Sequence, residues 1–96
     1  MKIWIDDMRH APEGYIWYKS TREALRGIVL DHKDEVELID LDHDAGEYAQ
    51  YGGDYIKILD WLEETGRNYP IHIHSMNPVG VANMRAIIQN NGWKEV

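Results

Sequence analysis

The sequence contains no cysteine, so neither a disulfide framework nor a thiolate site is available, and any metal must be held by His, Asp or Glu. It also lacks any run of about 18 apolar residues, which excludes a membrane-spanning helix. Basic residues are scarce: 10 Lys and Arg stand against 17 Asp and Glu, for a net charge of −7. A surface that coats nucleic acid needs clustered Lys and Arg, so a broad DNA-binding surface is not expected. A small nucleotide or an RNA end stays compatible, because a local site can differ in sign from the whole surface. The charge by itself means solubility. The opening Met1-Lys2-Ile3-Trp4-Ile5-Asp6 turns acidic after one short apolar stretch, unlike a signal peptide, and the expected location is cytoplasmic.

What is present suits one small domain over residues 1–96, with 44% hydrophobic residues for a single core. Lys2-Ile3-Trp4-Ile5 reads as a strand that halts at Asp6-Asp7. Beyond Pro12 and Gly14, Tyr15-Ile16-Trp17-Tyr18 reads as a second. Ser20 and Glu23 form a capping box, and Ala24, Leu25, Ile28 and Val29 recur at helical spacing. A turn is expected over Asp31 to Glu35, then a strand from Val36 to Leu41 that ends in Asp42-His43-Asp44. Ala45 to Asp54 is a Gly-rich loop with Tyr48 and Tyr51. Tyr55, Ile58, Leu59 and Leu62 build a helix stopped by Gly66. Ile71 to His74 is the fourth strand. Asn77 caps a last helix with Pro78 at its first position and Val81, Met84 and Ile88 as its apolar stripe. Strands alternating with helices predict an α/β parallel sheet, whose ligands sit beyond the carboxyl ends of the strands.

Three strand ends carry chemistry. If the ends of strands one and three are neighbours, Asp6, Asp7 and Asp42 crowd together. Like charges at short range raise one another's pKa unless a cation neutralises them, and magnesium or manganese is the natural choice for oxygen ligands. Any one of these acids taken alone is equally a solvated loop cap. His72 and His74 alternate onto one face, ~6.5 Å apart along the strand, a spacing that suits acid and base about one phosphate, a shared metal, or plain structure. Ser75 to Gly80 leads into a helix N-terminus whose N–H groups favour anions, with Ser75 and Asn77 adding side-chain hydrogen bonds; Asn77 is also explained by its cap alone. Arg9 is placed to contact a phosphate or to pair with Asp7. Tyr48 and Tyr51 either close over the site or pack back onto the domain. Trp4, Trp17, Trp61 and Trp93 read as structural, and His10 and His32 as surface residues.

An Asp-Asp pair after the first strand, an Asp after the third and a Ser after the fourth resemble the response-regulator receiver domain. Closer still, Ile5-Asp6-Asp7-Met8-Arg9 with Pro12 and Gly14, Leu41-Asp42-His43-Asp44-Ala45-Gly46, and His72-Ile73-His74-Ser75-Met76-Asn77-Pro78-Val79-Gly80 with Asn83-Met84 look like the atypical family of cyclic-phosphate-processing receiver domains. The resemblance implies a small receiver-like (flavodoxin-like) three-layer domain with a truncated, mainly four-stranded parallel sheet. It implies Asp6 and Asp7 as magnesium ligands, Asp42 as the phosphoryl acceptor, and Ser75 as the hydroxyl that meets the phosphoryl group. Two departures tell against phospho-signalling: the first crossover helix has no room between Asp7 and Tyr15, and the fifth strand with its lysine is not expected after Trp93-Lys94.

The expected function is metal-assisted processing of a cyclic phosphate on a nucleotide or RNA end. Asp6, Asp7 and Asp42 hold the divalent cation, and His74 moves protons with help from His72 or His43. Arg9, Ser75, Asn77 and Gly80 bind the phosphate-containing substrate. The rivals are a degenerate phospho-acceptor domain that docks a protein partner, and a non-catalytic nucleotide-binding module.

Overall fold

The computed structural model describes residues 1–30 and 35–96; the turn expected at Asp31 to Asp34, and with it His32, lies outside the described residues. The elements run β1 (Lys2–Ile5), β2 (Tyr15–Tyr18), α1 (Thr21–Leu30), β3 (Leu38–Leu41), a 3₁₀ turn (Gly46–Gln50), α2 (Ile56–Thr65), β4 (Ile71–Ile73) and α3 (Pro78–Asn91). The sheet is parallel throughout, in the order β2-β1-β3-β4. The predicted third strand is shorter than expected. Val36 is buried in the core ahead of it, and regular pairing begins only at Leu38.

Alternation along each strand sorts the side chains. Ile3, Ile5, Ile39, Leu41 and Ile71 are fully buried in one core with Ala24 and Ile28 of α1, Ile58, Leu59 and Leu62 of α2, and Met84 and Ile88 of α3. All three helices therefore pack on the same face. The steps β2→α1→β3 and β3→α2→β4 both move the same way across the sheet, so right-handed crossovers put both helices on one side. The step β1→β2 moves the other way, and its helix would have covered the opposite face. Residues 6–14 make that return as a loop instead, so the third layer of the receiver-like plan is thinned to a loop among the described residues.

Two tryptophans hold the loop in place. Trp4 and Trp17 are register partners on the helix-free face. The Trp4 indole N–H donates to the Arg9 carbonyl (2.9 Å), the Trp17 indole N–H donates to the Asp6 carbonyl (2.8 Å), and His10 rests on the Trp17 ring at 4.9 Å. His10, read as a surface residue without a partner, is thus part of this brace.

The helix signals are met in detail. Ser20 Oγ accepts the Glu23 N–H (3.1 Å) and donates to its carboxylate (3.3 Å), so Ser20 caps the start of α1 and pairs with Glu23 as expected. Asn77 caps α3 by accepting the Gly80 N–H at 3.0 Å. Past α3, Glu95 bridges Ile71 in parallel, with Ile71 N–H donating to the Lys94 carbonyl and Val96 N–H to the Ile71 carbonyl. A one-residue vestige therefore stands where no fifth strand was expected.

Gly27 gives the fold its clearest test. A Cβ there would lie 2.1 Å from the Tyr18 hydroxyl, so α1 sits directly on β2. Helix propensity alone favours alanine by about 1 kcal/mol. Gly27→Ala should nevertheless destabilise the domain, by about 1–3 kcal/mol, as overpacking. Urea melts of the two proteins check the sign.

Candidate active site

The parallel register brings the ends of β1, β3 and β4 side by side. Asp42 N–H donates to the Ile5 carbonyl and His74 N–H to the Leu41 carbonyl, both at 3.0 Å, so Asp6, Asp42 and His74 leave neighbouring strand ends. One carboxylate oxygen from each of Asp6, Asp7 and Asp42 lies within 4.8 Å of the others. The expected crowding of acids is present. Burial and then the charges of Asp6 and Asp42 raise the Asp7 pKa, against the pull of its own backbone N–H.

His74 is the centre of the edge. Its Nδ1 meets Asp40 Oδ1 at 2.6 Å and its Nε2 meets Asp6 Oδ2 at 2.9 Å. Both bonds need a ring proton, so the ring is an imidazolium between two carboxylates. Burial opposes that charge, but the hydrogen bonds to Asp40 and Asp6 outweigh it and raise the His74 pKa. The ring stacks on Trp4, centroids 3.9 Å apart and planes 3° from parallel. Asp6 is only 1% exposed. Its Oδ1 accepts the Met8 and Arg9 N–H groups, each at 2.8 Å, and these bonds with that of His74 lower its pKa against the effect of burial. Arg9 donates to the His74 carbonyl (2.9 Å), 3.8 Å from Asp6, rather than pairing with Asp7.

The other histidines part ways. His72 is exposed and bonds the Val96 carbonyl at 2.6 Å, away from the acids. It follows the face alternation but leans toward the vestigial fifth strand. His43 is mostly buried, with Nδ1 2.8 Å from Asp44 Oδ1. That bond lowers the Asp44 pKa, and Asn77 Nδ2 holds the same carboxylate at 3.3 Å from each oxygen. The His43 Nε2 has no hydrogen-bond partner among the described residues.

The anion cradle expected at α3 is largely filled by the protein itself. The Gly80 N–H serves the Asn77 cap, Ser75 Oγ accepts the Asn77 N–H at 3.1 Å, and the Asp44 carboxylate faces the Asn77 amide. Gly80 is there for packing: a Cβ would stand 2.4 Å from the His43 ring. On the other side of the acids, a cleft of about 390 Å³ is lined by Asp7, Met8, Gly46, Glu47 and Tyr48. Tyr48 packs on the core, and Tyr51 lies beside it at 6.2 Å.

Asp40 is the residue that sequence reasoning missed. Its signal was there: an acid inside Leu38-Ile39-Asp40-Leu41 is 7% exposed, and a buried acid needs a partner. The directly opposite residue is His72, yet His74 takes the contact.

The clamp makes stability depend on pH. A raised His74 pKa contributes stability that is complete below the unfolded value, ~6.5, and is lost as pH rises through the folded value. The lowered Asp6 pKa contributes stability above the ordinary carboxylate range, lost as pH falls through its folded value. In chelator-treated buffer, urea stability should fall as pH climbs from 6.5 into the alkaline range. His74→Gln should be less stable at neutral pH and lose that slope.

No curated protein and no solved structure shows significant similarity to the chain. A family model described as the cyclic-phosphate processing receiver domain matches residues 1–90 of the 96. With the parallel receiver-like sheet and the acids at its carboxyl edge, that match over nearly the whole length means that the chain belongs to the cyclic-phosphate processing receiver domain family.

Proposed function

We propose that this domain hydrolyses a cyclic phosphodiester, with a divalent cation, magnesium or manganese, held by Asp6, Asp7 and Asp42. The observation that carries the reading is the convergence of these three carboxylates within 4.8 Å of one another. An all-oxygen donor set fits a hard cation, which would relieve the repulsion that Asp6 and Asp42 add to burial in raising the Asp7 pKa. When bound, such an ion supplies positive charge for a phosphoryl oxygen and acidifies a water.

The chain's own residues divide the remaining work. His74 is a positioning residue: with both ring nitrogens on carboxylates, it fixes the orientation of Asp6. Proton transfer falls to His43, whose Nδ1 is oriented by Asp44 and whose Nε2 is left to take a proton from water and return it to the departing ribose oxygen. Arg9 commits one N–H to the His74 carbonyl and turns the rest of its fork to a phosphate oxygen. His72 and Gly80 take no part in this scheme.

Turnover of 2′,3′-cyclic mononucleotides with Mg²⁺ or Mn²⁺ tests the proposal. Wild type should convert them, and chelator should abolish conversion. His43→Gln should lower kcat by about 10²–10⁴-fold. His74→Gln should act through weaker metal binding, so that added metal recovers part of the rate. Absence of turnover, with phosphoryl uptake at Asp42 from a small phosphodonor, would overturn hydrolysis in favour of the phospho-acceptor.

A further inference from the structure

We propose that the cleft next to the acidic cluster is a nucleobase pocket selective for guanine, with Tyr48 as its stacking wall and Glu47 as the group that reads the base. This rests on the phosphodiester reading above, which supplies the nucleotide.

The cleft shares Asp7 with the acidic cluster, so a ligand whose phosphate lies at the carboxylates extends into it. Its volume, about 390 Å³, lies in the range of small-molecule sites, roughly 300–1,000 Å³. Its walls come from two loops. Met8, on the return loop after β1 and 78% exposed, brings a thioether side chain. Tyr48, on the 3₁₀ turn after β3, brings a ring backed by the core. A pre-set aromatic surface and an adaptable sulfur suit the two flat faces of a base. Gly46 leaves bare backbone between them, where a Cβ would strike the Asp7 carboxylate at 2.5 Å.

Glu47 sets the preference. An ionised carboxylate only accepts hydrogen bonds, so the edge it meets must offer N–H donors without a neighbouring acceptor. Guanine presents N1–H and N2–H side by side and satisfies both oxygens. Adenine and cytosine set an amino group beside a bare ring nitrogen, and uracil sets one N–H between two carbonyls. Each of these three leaves an acceptor facing the carboxylate.

The test is calorimetric binding of the four nucleoside 3′-monophosphates in Mg²⁺, which needs no turnover. The guanosine nucleotide should bind at least about tenfold more tightly than the others. Glu47→Gln should erase most of that preference, because its amide places a donor where the guanine donors arrive. Tyr48→Leu should weaken all four by roughly five- to a hundredfold, and Tyr48→Phe should bind like wild type, since stacking needs only the ring. Equal affinity for the four bases, no binding of any, or natively folded Tyr48→Leu that binds normally would overturn the proposal. Guanine-selective binding without conversion of the cyclic nucleotides would defeat the phosphodiesterase reading and leave this one standing. Conversion of all four at equal rates would do the reverse.

Discussion

The site depends on one charged bridge, Asp40–His74–Asp6, laid across the carboxyl edge of β3, β4 and β1. Two buried carboxylates on one sheet face repel each other and lose hydration; an imidazolium between them relieves both. Such a bridge is poor evidence of net stabilisation, since apolar residues in its place cost less to bury. Its value is positional. Removing any member leaves a charge stranded, so the three strand ends are held in one register, and the Asp6 carboxylate is presented to Asp7 and Asp42 with its orientation fixed by three hydrogen bonds.

Among the described residues no helix covers the face on which the bridge lies. In a sheet covered on both sides, Trp4, Asp40 and His74 would lie beneath a hydrophobic layer. Here the loop 6–14 is the only cover over β1 and β2 among the described residues, and Trp4 and Trp17 anchor it through their indole N–H groups. The tryptophans are structural, as their sequence setting indicated, but for a specific purpose: they keep Asp6, Met8 and Arg9 at the site's rim. The same economy of parts is visible at α3, where Asn77 caps the helix and also steadies Asp44 behind His43.

Most of the fold was legible because the punctuation was strong: Asp6-Asp7 ending β1, the Ser20 cap, Gly66, and Asn77-Pro78 all sit where they were expected. The metal-type cluster followed from parallel pairing of the first and third strands alone. What escaped was the assignment of partners. Period-two alternation sets His72 and His74 on one face but does not say which meets Asp40, because His74 lies just beyond the strand, where the chain turns toward α3. Gly80 looked like a phosphate-facing glycine; that it makes room for the His43 ring depends on a contact between residues far apart in the chain. The placement of all helices on one side was implicit in the missing first crossover, since handedness ties each connection to a face.

The short link between β1 and β2 also bears on how the chain reaches this structure. Parallel neighbours ordinarily wait for a dozen or more intervening residues, often a whole helix, before they meet. In this domain residues 6–14 suffice, so the entropy lost on closing the first pairing is small and its contacts are among the most local in the sheet. Of the three pairings in the sheet, β1–β2 therefore joins residues nearest in the chain, and it is the one that sets the starts of both the loop 6–14 and the acidic rim.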